Sequence, residues 1–498
     1  MSSSIRTYPN DSSLPIGVVQ NGSAFDRTTL AEIANEVRTV YLGDSRPWVV
    51  GFSGGKDSTA ALQLVWYALR ELSPDQRVKP VYVIASDTLV ETPVIVQRID
   101  GILARINEAA NIEGMPFQAH KVQPTVQDSF WVNLIGKGYP APTNKFRWCT
   151  ERLKIKPANR FILDRVAEFG EVVMVLGVRS SESATRAQVM SLHRRDGSKL
   201  SRHSQLPNAY VYPPIQDWST QDVWAYLLQV ESPWGQDNRD LVSLYNSAQA
   251  GECPLVIDKT TPSCGNSRFG CWVCTVVSRD RSMEALIDSG EFWLEPLLEF
   301  RDFLSSTQEP ENKILFRDIK RRDGSVKTTR SGKLSVGPYT FDACMDMLRR
   351  VLEVQKRLRI DGPDPEAVVI SHEELQEIRR IWQVERQDWA DCVPRIYRDV
   401  GGEELDWSLE DASRFTREDR ELLDDICGEL EVSPGLVAKL LDIERDMIGL
   451  GRRSTIFKRI DSAFREEWRG RGELEIELLN ILDASLADDV IDESQETL

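Results

Sequence analysis

The stretch Val49–Leu69, VVGFSGGKDSTAALQLVWYAL, joins a short β-branched run to a helical pattern through a turn rich in glycine and serine. A Walker A loop needs four residues between its two glycines and a Ser or Thr after its lysine. Here three residues separate Gly51 from Gly55, and Asp57 follows Lys56. The turn is therefore not a Walker A loop, although it stands between a strand and a helix as such loops do.

The same turn keeps the chemistry of an anion site. Gly54 and Gly55 allow the backbone to approach a phosphate closely, and the N–H groups at the start of the following helix can bind phosphate oxygens. Lys56 can neutralise phosphate charge, and Asp57 is placed to cap the helix or to bind magnesium. Hydroxyl donors come from Ser53 and Ser58. The turn predicts a nucleotide site.

Short apolar runs alternate with helical patterns from position 47 to position 178. The strand candidates are WVVGF, PVYVIAS, FQAHKV and EVVMVLGV, and helix candidates begin near position 57 and cover 93–110 and 153–168. This alternation is typical of βαβ units, whose mainly parallel sheet is covered by helices on both faces. We therefore predict an α/β fold in which ligands bind beyond the carboxyl ends of the strands.

The remaining sequence divides by composition. In a chain of 498 residues we expect a flexible N-terminus over 1–22 and an α/β domain over 23–285 that includes a cysteine segment at 253–280. A mostly α-helical C-terminal domain over 286–472 and an acidic tail over 473–498 follow. The tail holds nine acidic residues and no basic one, which favours a solvated segment.

The net charge of −17 argues against a protein that coats nucleic acid by itself, because phosphate affinity comes largely from Lys and Arg. One basic stretch, with a candidate tight turn at Asp323-Gly324, is a possible contact with a nucleic-acid backbone, or else a charged loop. Its basic residues are Lys313, Arg317, Lys320, Arg321, Arg322, Lys327, Arg330 and Lys333. The N-terminus has no apolar signal region, and we expect a cytoplasmic protein without a membrane helix.

Two strand ends carry polar residues that suit a nucleotide pocket. Asp87 follows the second strand, and the segment LGVRSSESATR places Arg179, Glu182, Ser183 and Arg186 after the last one. These positions are at the predicted mouth of the site. The aromatic segment that comes next is better interpreted as core, because Trp and Tyr at helical spacing usually pack. Its members are Trp218, Val223, Trp224 and Tyr226.

Four cysteines form a candidate metal site. Cys271 and Cys274 are a C-x-x-C pair in a glycine-rich segment, Cys264 lies nearby, and Cys149 is distant in sequence. Four thiolates suit either zinc or an iron-sulfur cluster, and spacing does not separate the two. Near Cys149, the cations of Arg152 and Lys154 could lower thiol pKa values or bind a phosphate. We leave Cys253 out, and we expect Cys344, Cys392 and Cys427 to be buried apolar residues.

The motif SGGKDS resembles the S-G-G-x-D-S loop of the N-type ATP pyrophosphatases, the PP-loop superfamily. The segments GVRSSESATR and PPIQDWSTQDVW resemble its phosphoadenylylsulfate (PAPS) reductase branch. The resemblance implies that ATP, with Mg²⁺, is bound by Ser53, Gly54, Gly55, Lys56, Asp57, Ser58, Asp87, Arg179 and Glu182. It also implies that Asp57, Ser58, Arg179 and Arg186 assist an attack on the α-phosphate that releases pyrophosphate.

The cysteine motifs WCTERLK and CGNSRFGCWVC resemble those of the DndC sulfurtransferases of the bacterial DNA phosphorothioation system. That resemblance implies a [4Fe-4S] cluster held by Cys149, Cys264, Cys271 and Cys274, DNA as the substrate with help from other proteins of the system, and a cysteine desulfurase as sulfur donor. The chain lacks the adjacent Cys-Cys pair of the PAPS reductases.

Three other functions remain open from the sequence. A PAPS or adenylylsulfate reductase would produce sulfite, and a PP-loop tRNA thiolase would activate a base carbonyl. A regulatory subunit would bind ATP and carry a structural Zn²⁺. The first two share the nucleotide chemistry predicted for the SGGKDS loop, and the third requires no sulfur transfer.

Overall fold

The computed structural model describes residues 23–180, 199–242, 270–328, 335–401, 405–407, 415–447, 455–469, 472–474 and 476. The chain divides into two compact units. The first unit consists of residues 1–125 and 143–292, and the second consists of residues 126–142 and 293–498. The sequence pattern assigned 126–142 to the α/β domain, whereas the structure groups this segment with the helical part.

The first unit is built on one sheet, which contains six strands within the described residues. Their order is β3-β2-β1-β4-β6-β5, and all neighbours are parallel except β5 and β6. The predicted α/β fold with a mainly parallel sheet is therefore confirmed. The strands are β1 Trp48–Gly51, β2 Val81–Ser86, β3 Phe117–Val122, β4 Val172–Val175, β5 Ser201–Arg202 and β6 Ala209–Tyr212.

Helices of the first unit cover the sheet, which explains why the central strands are apolar along their whole length. Every residue of β1 and β4 is buried. The N-terminal turn of α1 is fixed by a capping box between Thr29 and Glu32. The helices are α1 Leu30–Leu42, α2 Lys56–Arg70, α3 Pro93–Glu113, α4 Lys156–Phe169, α5 Thr220–Gln229 and α6 Arg281–Asp288.

The second unit is helical. It includes the segment 126–142, which lies between the two parts of the first unit in the sequence. A π-helical turn, Val132–Gly136, is wholly buried there. The indole N–H of Trp131 donates to the carbonyl of Val369, and that of Trp382 donates to the carbonyl of Ile135. The helices are α7 Glu295–Ser306, α8 Pro310–Phe316, α9 Phe341–Asp361, α10 His372–Glu385, α11 Cys392–Asp399, α12 Arg417–Leu430, α13 Pro434–Met447 and α14 Ile456–Phe464.

Local sequence signals explain where the last helices begin. Thr416 forms a capping box with Asp419 at the start of α12, and Pro434 is the first residue of α13. A small core joins α13 to α14 through Ile443, Ile456 and Ala463. Among the described residues, no helix is both long and apolar enough to cross a membrane.

Lys79 is a buried cation at the amino-terminal edge of the sheet. Its Nζ lies 4.4 Å from the ring centre of Tyr41 and 5.4 Å from that of Trp48, and 3.3 Å from Oδ1 of Asp44. Burial lowers its pKa to about 8, although Asp44 opposes the shift. The folded protein therefore binds this proton less tightly than the unfolded chain does, and burying the charge costs stability at neutral pH.

We predict that Lys79→Met removes a pH-dependent cost. Below pH 8 the lysine is protonated in both states, and the wild-type fold bears the full cost. As the pH rises from about 8 towards the ordinary value of 10.5, that cost disappears. The free energy of unfolding of the wild type should therefore rise by about 3 kcal/mol relative to the variant over this range.

Urea denaturation at several pH values, followed by tryptophan fluorescence, measures this difference. Groups that titrate equally in both proteins cancel in the comparison. Lys458→Met, at an exposed lysine, is the matched control and should show no such trend. Parallel pH curves for the wild type and Lys79→Met would contradict the prediction.

Candidate functional site

The candidate site lies where three neighbouring parallel strands end. The loops after β1, β2 and β4 contain the SGGKDS turn, Asp87 and Arg179. The chain proceeds from β1 to β2 and β3 on one side, and then crosses to β4 on the other side of β1. Such a reversal of strand order opens a crevice at the carboxyl edge, where ligands of α/β sheets bind.

The loop between β1 and α2 has the backbone form of an anion cradle. Gly54 has a φ of 71°, in the left-handed region that favours glycine, and a Cβ there would collide with Ile99. The hydroxyls of Ser53 and Ser58 lie 3.0 Å apart, and that of Ser58 donates to the carbonyl of Gly55 at 3.0 Å. These contacts hold the loop in one conformation before a ligand arrives.

Asp57 is buried between two cations. Its Oδ2 lies 2.9 Å from Nζ of Lys56, and its Oδ1 accepts a hydrogen bond from Nε of Arg179 at 2.7 Å. Arg179 is only 1% exposed and also donates from Nη1 to the hydroxyl of Thr220 at 3.1 Å. Lys56, Asp57 and Arg179 form a triad with a net charge of +1. The triad lies at the edge of the sheet where phosphates would bind.

The prediction that Asp57 caps the helix is wrong. The N-cap residue of α2 is Gly55, and no side chain caps it. The carboxylate of Asp57 instead bonds to the two cations, because pairing is what makes a buried charge tolerable. A direct magnesium ligand at this carboxylate stays a prediction.

Gly177, in the loop after β4, is a site residue that the sequence analysis did not single out. A Cβ there would lie 2.6 Å from the carbonyl oxygen of Asp57 and 2.9 Å from the nitrogen of Ser58. Only glycine lets the end of β4 approach the start of α2 this closely, and that approach brings Arg179 to Asp57. In the sequence, the signal that could have identified this residue is a glycine two positions before Arg179.

Asp87 is buried after β2 and faces the end of β3. Its Oδ2 accepts a hydrogen bond from Nε2 of Gln123 at 2.9 Å and lies 3.4 Å from Nζ of Lys121. Its Oδ1 accepts from the backbone N–H of Leu89 at 2.9 Å, in a turn where Leu89 has a φ of 63°. Asp87 therefore organises the loop after β2, and its predicted role in nucleotide binding stays a prediction.

The C-x-x-C segment docks beside this loop. Cys271 forms an antiparallel bridge with Glu91, and the backbone N–H of Trp272 donates to the carbonyl of Val90 at 3.0 Å. The Sγ of Cys271 lies 3.3 Å from the hydroxyl of Thr88. A thiol far along the sequence is thereby fixed at the carboxyl edge of the sheet.

Cys149 approaches the same place from a π-helical turn, Thr150–Ile155, that leads into α4. Widened turns of this kind frequently mark functional sites. Burial raises the pKa of Cys149 to about 12, and the charges of Cys271 and Cys274 add to this effect while Lys154 opposes it. Three of the four predicted thiol ligands are therefore close enough to interact electrostatically.

The surroundings keep the thiols of Cys149 and Cys271 protonated in the absence of a metal. Burial raises the pKa of Cys271 to about 11, with Lys154 lowering it and Glu91 raising it. Burial also raises the pKa of Glu91, whose Oε1 lies 4.0 Å from Nζ of Lys154. Thiols that repel each other as anions suit a cation or an iron-sulfur centre, which would bind them deprotonated.

The thiol set is incomplete within the described residues. There, no three Cys, His, Asp or Glu side chains form a finished metal site. The fourth predicted ligand, Cys264, lies outside the described residues, as does Cys253. The same holds for Glu182, Ser183 and Arg186. The metal ligands and the roles of Glu182 and Arg186 stay predictions.

The residues that we expected to pack are buried. Trp218 and Tyr226 make an edge contact with ring centres 5.2 Å apart, Val223 is buried beside them, and Trp224 packs against the same core. Cys344, Cys392 and Cys427 are also buried, as predicted. These side chains support the fold.

Three arginines in the basic stretch of the second unit bond to groups of their own unit, and a contact of this stretch with nucleic acid stays a prediction. The predicted turn exists, with Gly324 at a φ of 77°. However, Arg317 donates to the carbonyls of Gly337 and Val336, and Arg321 donates to the hydroxyl of Ser335. Arg322 pairs with Glu385 at 2.7 Å. These cations bind their own unit; Arg330 and Lys333 lie outside the described residues.

Comparisons with known proteins give a family resemblance for the part of the chain that contains this site. Residues 47–277 match the family model of the phosphoadenosine phosphosulfate reductase domain. An uncharacterized protein of Methanocaldococcus jannaschii is 27% identical over 220 residues, which are 44% of this chain and 38% of that protein. The chain thus spans less than half the length of this relative.

Among solved structures, the FMN adenylyltransferase of Candida glabrata, in complex with FAD and inorganic pyrophosphate, aligns with a TM-score of 0.26 at 13% identity. The alignment covers 42% of this chain and 60% of that chain. Residues 47–277, which contain the SGGKDS loop and the parallel strands around it, therefore resemble the phosphoadenosine phosphosulfate reductase domain.

Proposed function

We propose that the chain is an ATP-dependent sulfurtransferase that replaces a non-bridging oxygen of a DNA phosphate by sulfur. One observation supports sulfur transfer above all. The nucleotide-type loop at Ser53–Ser58 and the thiols of Cys149, Cys271 and Cys274 belong to the same carboxyl edge of one sheet. A protein that only bound a nucleotide would have no need to gather three half-buried thiols there.

The first step is activation of the acceptor. A phosphate oxygen of DNA attacks the α-phosphorus of ATP, the bond to the β-phosphate breaks, and pyrophosphate leaves with the electron pair. The product is a mixed anhydride of the DNA phosphate and AMP. Both reactants are anions, and the net positive charge of Lys56, Asp57 and Arg179 lessens their repulsion.

The second step replaces AMP by sulfur. Sulfur at the sulfide oxidation level attacks the activated DNA phosphorus, and AMP leaves with the oxygen that was activated. If a cysteine desulfurase supplies the sulfur as a persulfide, a thiol must provide two electrons to release it. The residues for an iron-sulfur cluster would be Cys149, Cys271 and Cys274 with Cys264, and such a cluster would supply a site at which sulfur can be held.

The side chains of the loop have distinct tasks in this scheme. Asp57 is a positioning residue, because its carboxylate fixes the two cations rather than facing solvent. Ser58 holds the loop through Gly55, and the glycines leave room for the β- and γ-phosphates. Mg²⁺, bound with ATP, would neutralise the part of the phosphate charge that the protein side chains do not neutralise.

DNA as the acceptor is supported by the cysteine motifs WCTERLK and CGNSRFGCWVC. A reductase of nucleotide-bound sulfate is the second candidate, and the match of residues 47–277 to the phosphoadenosine phosphosulfate reductase domain favours it. The two functions differ in their products. The first yields phosphorothioate DNA and pyrophosphate, and the second yields sulfite.

We predict that Asp57→Asn slows pyrophosphate release by about 10²-fold, because Lys56 and Arg179 lose the charge that positions them. The assay measures pyrophosphate released from ATP with DNA and a sulfur source present. Asp75→Asn, at an exposed position, is the matched control and should behave like the wild type. A folded Asp57→Asn protein with the normal rate would contradict the role of the triad.

Loss of the thiols should separate the two steps. We expect the double variant Cys271→Ser, Cys274→Ser to lose sulfur transfer while it still releases pyrophosphate, since the nucleotide loop is unchanged. Cys427→Ala, at a buried thiol of the second unit, is the control. Iron, zinc and acid-labile sulfide are measured after anaerobic purification. Zinc without iron in the wild type would rule out the cluster, and sulfur transfer by the double variant would rule out the thiols.

The acceptor is tested in the native host by mass spectrometry of nuclease-digested genomic DNA. We expect phosphorothioate-linked dinucleotides when the gene is intact, none when it is deleted, and none when the Asp57→Asn gene is returned. Their absence from all three strains would overturn the DNA assignment. Sulfite production and thionucleosides in tRNA would then be measured in the same strains.

A further inference from the structure

Helix α12 of the second unit has both buried and exposed apolar residues. One side carries the buried Cys427 and packs on α13. Beside it on the helix surface, Leu422, Ile426 and Leu430 are 60%, 45% and 67% exposed. Their spacing of four residues turns each by about 40° from the one before, so the three lie within an arc of about 80°. Three large aliphatic side chains within this arc form an apolar strip at the surface.

A line of acids runs beside this strip. Glu418, Asp425 and Glu429 are exposed, and at 3.6 residues per turn they fall within about 60° of Leu422 on the same side. The two arginines of the helix lie elsewhere on its circumference, where Arg417 pairs with Glu421 and Arg420 pairs with Asp424. The apolar strip therefore has an acidic border, and no arginine or lysine of α12 lies within that border.

The charge of this face decides which molecule can cover it. The acidic tail of the chain, with nine acids and no base over 473–498, would bring like charges together. A second copy docked through the same face would do so as well, and nucleic acid is excluded for the same reason. A helix with a leucine-rich strip and a lysine- or arginine-rich border matches both the apolar and the charged line.

We propose that the outward face of α12, formed by the strip Leu422, Ile426 and Leu430 and the acidic line Glu418, Asp425 and Glu429, docks a cationic amphipathic helix of a partner protein. The apolar strip supplies the contact area. The acidic line selects a basic partner and sets its orientation along α12.

The test uses the full chain and a fluorescein-labelled helical peptide of about 18 residues, with leucines along one strip and lysines beside it. We expect saturable binding by fluorescence anisotropy that weakens as salt is raised. Ile426→Ser should weaken binding about tenfold. The triple variant Glu418→Lys, Asp425→Lys, Glu429→Lys should abolish it. Because all four positions are exposed, the variants should fold, which circular dichroism checks.

Matched controls lie on helix α9 of the same unit. Ile360→Ser changes an isoleucine that is 70% exposed, and Glu353→Lys changes an exposed acid. Neither should alter binding. Failure of the wild type to bind the peptide would overturn the proposal, as would equal binding by the α12 variants or by a peptide with glutamates in place of lysines. A wild-type dimer that Ile426→Ser dissociates would assign the face to a second copy instead.

Discussion

The candidate site depends on the two ion pairs that the buried carboxylate of Asp57 makes. It lies between Lys56 and Arg179, and removal of its charge would leave two cations buried together. Each uncompensated buried charge lowers the stability of the fold by several kcal/mol, so loss of any one member of the triad destabilises the other two. Because Arg179 comes from the loop after β4, the ion pair also ties that loop to the start of α2. The close approach at Gly177 makes this connection possible.

The thiols impose a second constraint at the same edge of the sheet. Burial and mutual repulsion hold the pKa values of Cys149 and Cys271 at about 12 and about 11, so that both remain neutral without a metal. A centre that binds them as thiolates must overcome this cost, and Lys154 is the nearby cation that lowers it for both. The site therefore combines a triad with a net charge of +1 and thiols whose charge depends on what they bind.

Much of the first unit could be predicted from local sequence patterns. The apolar runs of β1 and β4 and the glycine-rich turn after β1 have recognisable chemistry over a few residues, and the structure has each in its expected place. The pairing of Asp57 with Arg179 could not be found in this way, because the partners are 122 residues apart. The transfer of segment 126–142 to the helical unit likewise depends on distant contacts, such as that of Trp382 with Ile135.

The basic stretch shows that cations in a charge pattern can already have partners within the fold. Arg317, Arg321 and Arg322 look like a contact for a phosphate backbone in the sequence, yet each bonds to groups of its own unit. A chain with a net charge of −17 that works on a polyanion must offset this repulsion, and cations already used in the fold contribute little. The cations that a partner placed on the acidic face of α12 would be paired in the same way and would contribute little to binding a polyanion. Under the proposed function, most of the affinity for DNA would therefore have to come from cations that remain unpaired in the assembly.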